Sequence, residues 1–407
     1  MLVIKIKICM ISKYPPIEGG VSSDTYWLAK GLGEIGHDVF VVSNCWEVEE
    51  KYREIIEQGD LRNLEPKNVH LFSTDPNEKY IFIPYFNPYD IKLTSLTLNI
   101  IKKYNPDILY AHYLLPYGVS AFISKKIVNK PFIIRHAGSD IARLFDSKFL
   151  RPFFIEVFNS ADKIITGGNN AQKLSEFGID SKKFVNIHRL VDCNGFNPNI
   201  KPFDLSQYTE RDVSNISIFT YIGKISRLKN THQFIEAASR IKDENFILLF
   251  VTEIGENLER LKGLIKNSGI ENKTVFLPFK PPWKIASIMN ISTCVICPEN
   301  NEVPYLPQGT HFPLIAREAM MCGKCVILGN YVYEKYRKIY TEIQDGINVI
   351  STDTNNINKF SEKMKSLINS PEIAYEIGRN ATKEINEKTN FSKYINSFVN
   401  LCNQIII

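Results

Sequence analysis

No apolar stretch of this sequence approaches the roughly 18 residues that a membrane-spanning helix requires. Short-period repeats and low-complexity tracts are also missing, and we recognise no secretory leader. Charge is nearly balanced, with 49 Lys and Arg against 44 Asp and Glu, and it is spread over both halves. Integral membrane proteins, disordered or fibrous proteins and dedicated nucleic-acid-binding domains are therefore disfavoured. We expect a cytoplasmic protein whose lysine pairs can still contact the inner face of a membrane.

Motifs for metal binding are scarce. The eight cysteines are scattered, and two pairs have Cys-x-x-Cys spacing, at residues 294–297 and 322–325. The first pair lies in an apolar strand-like run, where alternation sends the two thiols to opposite faces. His112 and His136 each close a strand without a carboxylate pair at ligand spacing. The sequence therefore predicts reduced thiols and no metal ion.

Strands and helices alternate along the chain. Residues 2–11 form an apolar run, and a turn with two prolines and two glycines follows. Residues from 22 or 23 to about 36 then have the periodicity of a helix before the next apolar run. This order is a βαβ unit, and its strands without clean polar alternation are typical of a parallel sheet covered on both faces. No Gly-x-Gly-x-x-Gly follows the first strand, which disfavours a dinucleotide dehydrogenase.

The same pattern restarts after a polar stretch at residues 197–212. A chain of 407 residues and 46.7 kDa has room for two such domains. We predict an α/β protein with a first domain over residues 1–195, joined by a C-terminal helix at about 385–407, and a second domain over 196–384. Ligands of doubly wound sheets bind beyond the carboxyl ends of the strands, which places the expected site in the cleft between the halves.

The turn after the first strand of the second half carries two lysines. Gly223 ends the apolar run, and Lys224 and Lys229 stand at the two ends of the turn into the next helix. Free N–H groups and the dipole at a helix start add to lysine charge, so this arrangement favours a diphosphate. Ordinary solvated lysines at a turn are the alternative interpretation.

A second segment with binding potential opens a helix near Pro313. The N–H groups of Leu314 and Ile315 would be free in its first turn. Glu318 follows about one turn later, and its carboxylate suits the vicinal diol of a ribose. A glutamate on a helix is usually solvated, so this segment alone is a weak indication.

Together these segments resemble glycosyltransferase family 4 of the GT-B fold, which consists of two Rossmann-like domains facing across a cleft. The likeness covers most of the chain through five motifs in order: Pro15-Pro16-Ile-Glu-Gly-Gly20 with Gly36-His37-Asp38-Val39, Pro106-Asp107-Ile-Leu-Tyr-Ala-His112, Arg135-His136-Ala-Gly138-Ser139-Asp140, Gly223-Lys224 with Lys229, and Glu318-Ala-Met-Met-Cys-Gly323. Each motif alone is common, whereas five in the right order are specific.

The resemblance implies roles for individual residues. His136 matches the histidine that borders the sugar, and Lys229 matches the phosphate-binding lysine, while Lys224 stands where the family usually has arginine. Glu318 matches the second glutamate of a paired motif, which binds the nucleotide ribose. Gly20 matches the glycine loop that approaches the donor diphosphate and the acceptor.

The sequence also departs from the family pattern. The first glutamate of the paired motif should lie eight positions before Glu318, and that position is Thr310. Either Glu302 supplies the carboxylate across an insertion, or Thr310 or His311 binds sugar hydroxyls instead. Pro313 replaces a glycine, yet it suits the start of a helix and leaves the later N–H groups available.

The implied activity is retaining, metal-independent transfer of a sugar from a nucleoside-diphosphate sugar to a hydroxyl or amine. The nucleotide sugar is a co-substrate, and no cofactor is expected. The acceptor is a carbohydrate, a small molecule or a lipid-linked group, with peripheral membrane contact as an option and no role for nucleic acid. A sugar-nucleotide epimerase of the same fold, and a non-catalytic nucleotide-sugar-binding subunit suggested by Thr310, are the alternatives.

Overall fold

A computed structural model describes residues 5–77, 89–300, 313–338, 340–388 and 390–406. These residues form two compact units. The first contains the described residues up to Arg189 and those from Ser392 onward, and the second contains the described residues between them. Each unit is a parallel β-sheet with helices, so the predicted pair of doubly wound α/β domains is confirmed.

The first unit is built on a seven-stranded parallel sheet with the order β3-β2-β1-β4-β5-β6-β7. Its strands are β1 (Lys7–Ser12), β2 (Asp38–Ser43), β3 (Val69–Ser73), β4 (Ile108–His112), β5 (Phe132–Arg135), β6 (Lys163–Ile165) and β7 (Phe184–Val185). The central strands are buried at nearly every position, as the unalternating apolar runs predicted. The helices between them are α1 (Gly20–Glu34), α2 (Tyr89–Tyr104), α3 (Val119–Val128), α4 (Ser139–Leu144), α5 (Arg151–Ser160) and α6 (Gly168–Glu176).

The second unit repeats the design with six parallel strands in the order β10-β9-β8-β11-β12-β13. The strands are β8 (Ser217–Ile222), β9 (Phe246–Thr252), β10 (Thr274–Pro278), β11 (Cys294–Cys297), β12 (Cys325–Gly329) and β13 (Ile350–Thr352). The helices are α7 (Thr231–Ser239), α8 (Glu256–Asn267), α9 (Pro282–Ile291), α10 (Leu314–Met321), α11 (Asn330–Tyr336), α12 (Ile357–Asn369) and α13 (Pro371–Lys388). All positions of β8, β9, β11 and β12 are buried, which makes this sheet the core of the unit.

The chain ends in α14 (Phe391–Ile406), which belongs to the first unit from Ser392 onward. Phe398 packs edge-on against Tyr110 of β4, with ring centroids 5.0 Å apart. Asn390, directly before α14, is not helical, so the C-terminal segment that we interpreted as one helix belongs to two. Among the described helices, none combines the length and the apolar character needed to cross a bilayer.

Candidate active site

Both sheets have a switch point, where the chain leaves a central strand to one side and later returns on the other. In the first unit this point lies between β1 and β4, which are neighbours although they are far apart in sequence. The loop after β1 leads to Gly19, whose φ of +112° is a conformation that side chains with a Cβ rarely adopt. Gly20 then opens α1 with open space where a Cβ would stand. Backbone N–H groups can therefore be approached closely at the edge of the sheet where ligands of such folds bind.

His136 lies directly after β5, at the same edge of the first sheet. Its Nδ1 accepts a hydrogen bond from the Gly138 N–H at 3.1 Å, and its Nε2 lies 2.8 Å from Thr166 Oγ1. Since Nδ1 accepts, the proton of the neutral ring is on Nε2 and is donated to Thr166. Burial, assisted by the charge of Arg135, lowers the pKa of His136 to about 3. The ring is therefore neutral at physiological pH and fixed in one orientation.

The carboxylate of Asp140 fixes the turn that follows His136. Asp140 is the second residue of α4 rather than the N-cap, and its buried carboxylate accepts hydrogen bonds from the N–H groups of Leu114, Ala137 and Ile141 at 2.9 to 3.1 Å. Asp140 therefore joins the turn after β5 to the turn after β4.

A buried network of charged and polar side chains surrounds Asp24 of α1, the helix that follows the glycine loop. Asp24 of α1 contacts Arg135 Nη1 at 3.1 Å and Arg189 Nε at 3.5 Å, and Tyr394 of α14 donates a hydrogen bond to it at 3.3 Å. Arg135 also donates to Tyr394 at 3.2 Å. Burial by itself raises the pKa of Asp24, but the two guanidinium groups outweigh it and hold the pKa below its usual value. The carboxylate therefore stays charged, and it ties α1 to the residue that precedes His136.

In the second unit the switch point lies between β8 and β11. Lys224 follows β8 with an exposed side chain, and Lys229 ends a 3₁₀ turn that precedes α7. The ammonium group of Lys229 forms a hydrogen-bonded ion pair with Glu299, which stands two residues after β11. This pair joins the turns at the carboxyl ends of the two central strands, which is where a ligand of this fold is expected.

Two opposing effects act on Lys229. Burial by itself lowers the pKa of Lys229, but the hydrogen-bonded carboxylate of Glu299 outweighs it, so the pKa is raised. The side chain is thus charged at physiological pH, and it retains about a third of its exposure beside a largely buried Glu299. A charged, partly exposed lysine side chain at the end of two central strands is suited to a phosphate group.

Helix α10 provides the remaining described candidates. It connects β11 to the neighbouring β12, so it starts at the carboxyl edge of the sheet. No described side chain caps its N-terminus, and the first-turn residues Leu314 and Ile315 are half-buried. Glu318 follows in the second turn and is only 2% exposed. The N–H groups of the first turn and this carboxylate thus share one short helix.

Three candidate residues for the sugar, Glu302, Thr310 and His311, lie outside the described residues. Within the described ranges, no three His, Cys, Asp or Glu side chains are grouped as metal ligands. All eight cysteines are free thiols, and Cys193 alone among them is exposed.

Sequence reasoning missed Glu299, Thr166 and Asp24. Glu299 lies three residues before the candidate Glu302, but only its position after β11 reveals its partner. Asp24 carried no clear signal, because Ser22, Ser23 and Thr25 flank it near the polar start of α1. Thr166 follows β6, and nothing near it in sequence indicates that it contacts His136.

Comparison with known proteins gives matches in both halves of the chain. The family model for Glycosyltransferase Family 4 matches residues 18–194, and that for Glycosyl transferases group 1 matches residues 207–384. An uncharacterized glycosyltransferase of Methanocaldococcus jannaschii is 26% identical over 96% of both chains. The N-acetyl-alpha-D-glucosaminyl L-malate synthase of Bacillus anthracis is 23% identical, over 78% of this chain and 77% of that protein.

Solved structures share the fold over nearly the whole length. Anabaena HepE in complex with UDP and glucose has a TM-score of 0.69 at 17% identity, covering 98% of this chain and 99% of that one. Sucrose-phosphate synthase of Thermosynechococcus elongatus has a TM-score of 0.68 at 14% identity, with the same coverage. With two switch-point sites, family models matching each half and full-length structural likeness, the chain belongs to the family 4 glycosyltransferases of the GT-B fold.

Proposed function

We propose that this glycosyltransferase uses a nucleoside-diphosphate sugar and transfers the sugar with retention of configuration. The observation that carries the proposal is the Lys229–Glu299 pair at the switch point of the second sheet. The carboxylate fixes the lysine while about a third of the lysine side chain stays exposed. Lys224 on the same turn and the first-turn N–H groups of α10, from Leu314 and Ile315, add positive potential at the same edge. Glu318 is our candidate for the ribose hydroxyls.

Departure of a diphosphate concentrates negative charge on the leaving group and leaves an oxocarbenium-like centre on the sugar. Fixed cations and helix N-termini stabilise that charge. The departing phosphate then accepts the proton of the acceptor hydroxyl or amine, so attack occurs on the face that the phosphate leaves. His136 is neutral and both of its ring nitrogens are engaged, so we assign it to bordering the sugar rather than to removing a proton.

Two relatives suggest the first donors and acceptors to test. Anabaena HepE was solved with UDP-glucose, and the name of the Bacillus anthracis relative specifies an N-acetylglucosaminyl group and L-malate. We therefore propose a uridine diphosphate carrying glucose or N-acetylglucosamine as donor, and a hydroxyl-bearing small molecule or lipid-linked group as acceptor. Thermal stabilisation across a panel of nucleotide sugars identifies the donor. The anomeric coupling constant of the product, measured by NMR, then reports retention or inversion.

Substitution of the lysines tests the diphosphate site. Removing one such electrostatic contact costs on the order of 3 kcal/mol of barrier, so we expect Lys229→Ala to lower turnover about 100-fold. We expect the exposed Lys224→Ala to lower it about tenfold. The exposed Lys242, elsewhere on the second unit, supplies the control variant Lys242→Ala.

Lys229→Ala also leaves Glu299 without its ion pair, so a loss of stability must be separated from a loss of chemistry. The double variant Lys229→Ala with Glu299→Gln removes the unpaired charge and should regain thermal stability without regaining turnover. Full activity of both single lysine variants would show that the diphosphate is held elsewhere. Binding of nucleotide sugar without its consumption by any acceptor would contradict the proposed transfer.

A further inference from the structure

The turn between α4 and α5 exposes an apolar tip beside lysines. Phe149 is 96% exposed, and Leu150 and Phe153 are also exposed. We call these three residues, with Lys126 and Lys148, the aromatic–lysine surface. A phenylalanine held almost wholly in water forgoes the gain of about 1.5 to 3 kcal/mol that burial of its side chain provides. Clustered exposure of this kind usually marks a surface that contacts another apolar phase.

The turn that presents Phe149 is held by its neighbours. Arg151 Nε donates a hydrogen bond to the carbonyl oxygen of Phe145 at 2.5 Å, and its guanidinium lies 4.5 Å from the centroid of the Phe177 ring. Phe145 is itself fully buried. The exposure of Phe149 therefore results from the fold of the turn.

The surface continues onto α3. The rings of Phe122 and Phe153 meet edge-on with centroids 5.9 Å apart, and Lys126 Nζ lies 5.6 Å from the centroid of Phe122. A lysine whose stem covers an aromatic ring keeps its ammonium group at the water side of an apolar patch. Phe153, Phe122 and the ammonium group of Lys126 thus form one continuous surface.

The charge of this surface is positive. Lys126 and Lys148 are exposed and form no ion pair within the described part of the chain. The neighbouring acids have partners, since Asp146 pairs with Lys173 at 3.0 Å and Asp162 pairs with Lys125 at 2.5 Å. The exposed Glu156 lies one turn further along α5, away from the tip. Net positive charge around an apolar tip complements an anionic surface.

The surface also lies near the candidate site of the first unit. Helix α4 begins three residues after His136, and α5 returns toward β6, so the turn between them is on the carboxyl-edge side of the sheet. Phe158 of α5 packs against Phe145 with centroids 5.7 Å apart, and its ring lies 6.4 Å from that of His136. The helix that begins at this surface therefore also packs beside His136.

We propose that the aromatic–lysine surface docks the enzyme on an anionic lipid bilayer, with Phe149 and Leu150 in the interface and Lys126 and Lys148 at the headgroups. Amphipathic contacts of this kind combine apolar burial with attraction to anionic lipid. Three exposed apolar residues fall far short of the roughly 20 residues a side that stable protein interfaces use. The docking is independent of the identity of the donor.

Vesicle co-sedimentation of the full chain tests this docking. We expect binding to vesicles of phosphatidylcholine with about a third phosphatidylglycerol, and much weaker binding to phosphatidylcholine alone. Phe149→Ser should weaken binding about tenfold, because it removes most of one buried aromatic side chain. Lys148→Gln should weaken it about fivefold, which corresponds to about 1 kcal/mol per cation. Thermal melts check that each variant folds.

Matched controls are available on the second unit. Tyr375 of α13 is 72% exposed, and Lys242 is an exposed lysine, so Tyr375→Ser and Lys242→Gln should bind as the unmodified chain does. The proposal is overturned if the chain ignores anionic vesicles, or if Tyr375→Ser loses as much binding as Phe149→Ser. Sedimentation velocity without lipid tests the alternative partner. If the unmodified chain is a dimer and Phe149→Ser is a monomer, the surface binds a second copy of the chain instead.

Discussion

Among single residues, His136 and His112 make the stability of the enzyme depend on pH. Burial lowers the pKa of each to about 3, with Arg135 as the next cause in both cases. An unfolded chain has its histidine pKa near 6.5, so between these values the unfolded state binds protons that the folded state does not. Stability is therefore fully present above about pH 6.5 and is lost as the pH falls through this window.

We expect each histidine to contribute a loss of about 1.4 kcal/mol per pH unit inside the window. Burial raises the pKa of Glu54, so this residue changes stability with pH in the opposite direction. The slope of stability against pH of the unmodified chain therefore does not by itself reveal the histidine contribution. Urea unfolding of His136→Gln at pH 7.5 and pH 5 should show a shallower loss of stability than the unmodified chain. The exposed His70→Gln is the control. Equal slopes for all three proteins would mean that His136 has the same pKa in the folded and unfolded states.

Among the secondary-structure elements, α13 packs tightly on the turn that follows α10. A Cβ added at Gly378 would stand 2.2 Å from the carbonyl oxygen of Gly323, a backbone atom that cannot move aside cheaply. This contact aligns α13 with the helix that carries Glu318. Glycine here is required by close approach of two backbones.

The substitution Gly378→Ala should therefore lower the free energy of unfolding by about 2 kcal/mol or more, as overpacking does. Gly263 in the middle of α8 is a matched control, since its Cβ would meet nothing within 4 Å. Gly263→Ala should raise stability by about 0.5 to 1 kcal/mol through helix propensity. Denaturant melts of the two variants measure both effects. If they shifted stability in the same direction, the packing of α13 would differ from that described.

For the whole molecule, the network around Asp24 joins the two ends of the sequence. Asp24 and Tyr394 are 370 residues apart in the chain, yet the tyrosine hydroxyl bridges Asp24 and Arg135. The first unit therefore includes α14, although α14 follows the entire second unit in sequence. The same contact supports the residue next to His136.

Asp24→Asn should lower the free energy of unfolding by about 3 to 5 kcal/mol, because it leaves buried guanidinium groups without the carboxylate that they contact. Tyr394→Phe removes hydrogen bonds alone and should cost about 1 to 2 kcal/mol. Ser397→Ala on the same helix changes only a bond to the Lys393 carbonyl oxygen and is the control. Equal melting temperatures for Tyr394→Phe and Ser397→Ala would contradict a role for this network in holding α14.

The order of strands and helices, the restart of the pattern in the second half and the lysine turn after Gly223 were all readable from the sequence. They depend on the apolar pattern and the turn residues of short stretches of chain, which determine the local backbone conformation. The family motifs then identified a glycosyltransferase. The break before Phe391 was not readable, because the helical periodicity of the C-terminal segment continues across it.

The partners of the site residues depended on the folded chain. Lys229 and Glu299 are 70 residues apart and meet only because β8 and β11 are adjacent in the sheet. Burial keeps the His136 ring neutral, Thr166 and Gly138 fix its orientation, and Asp140 connects two turns. Strand order and burial fix such pairings, and with them the charge state of each side chain, since desolvation and distant partners act only once the chain has folded.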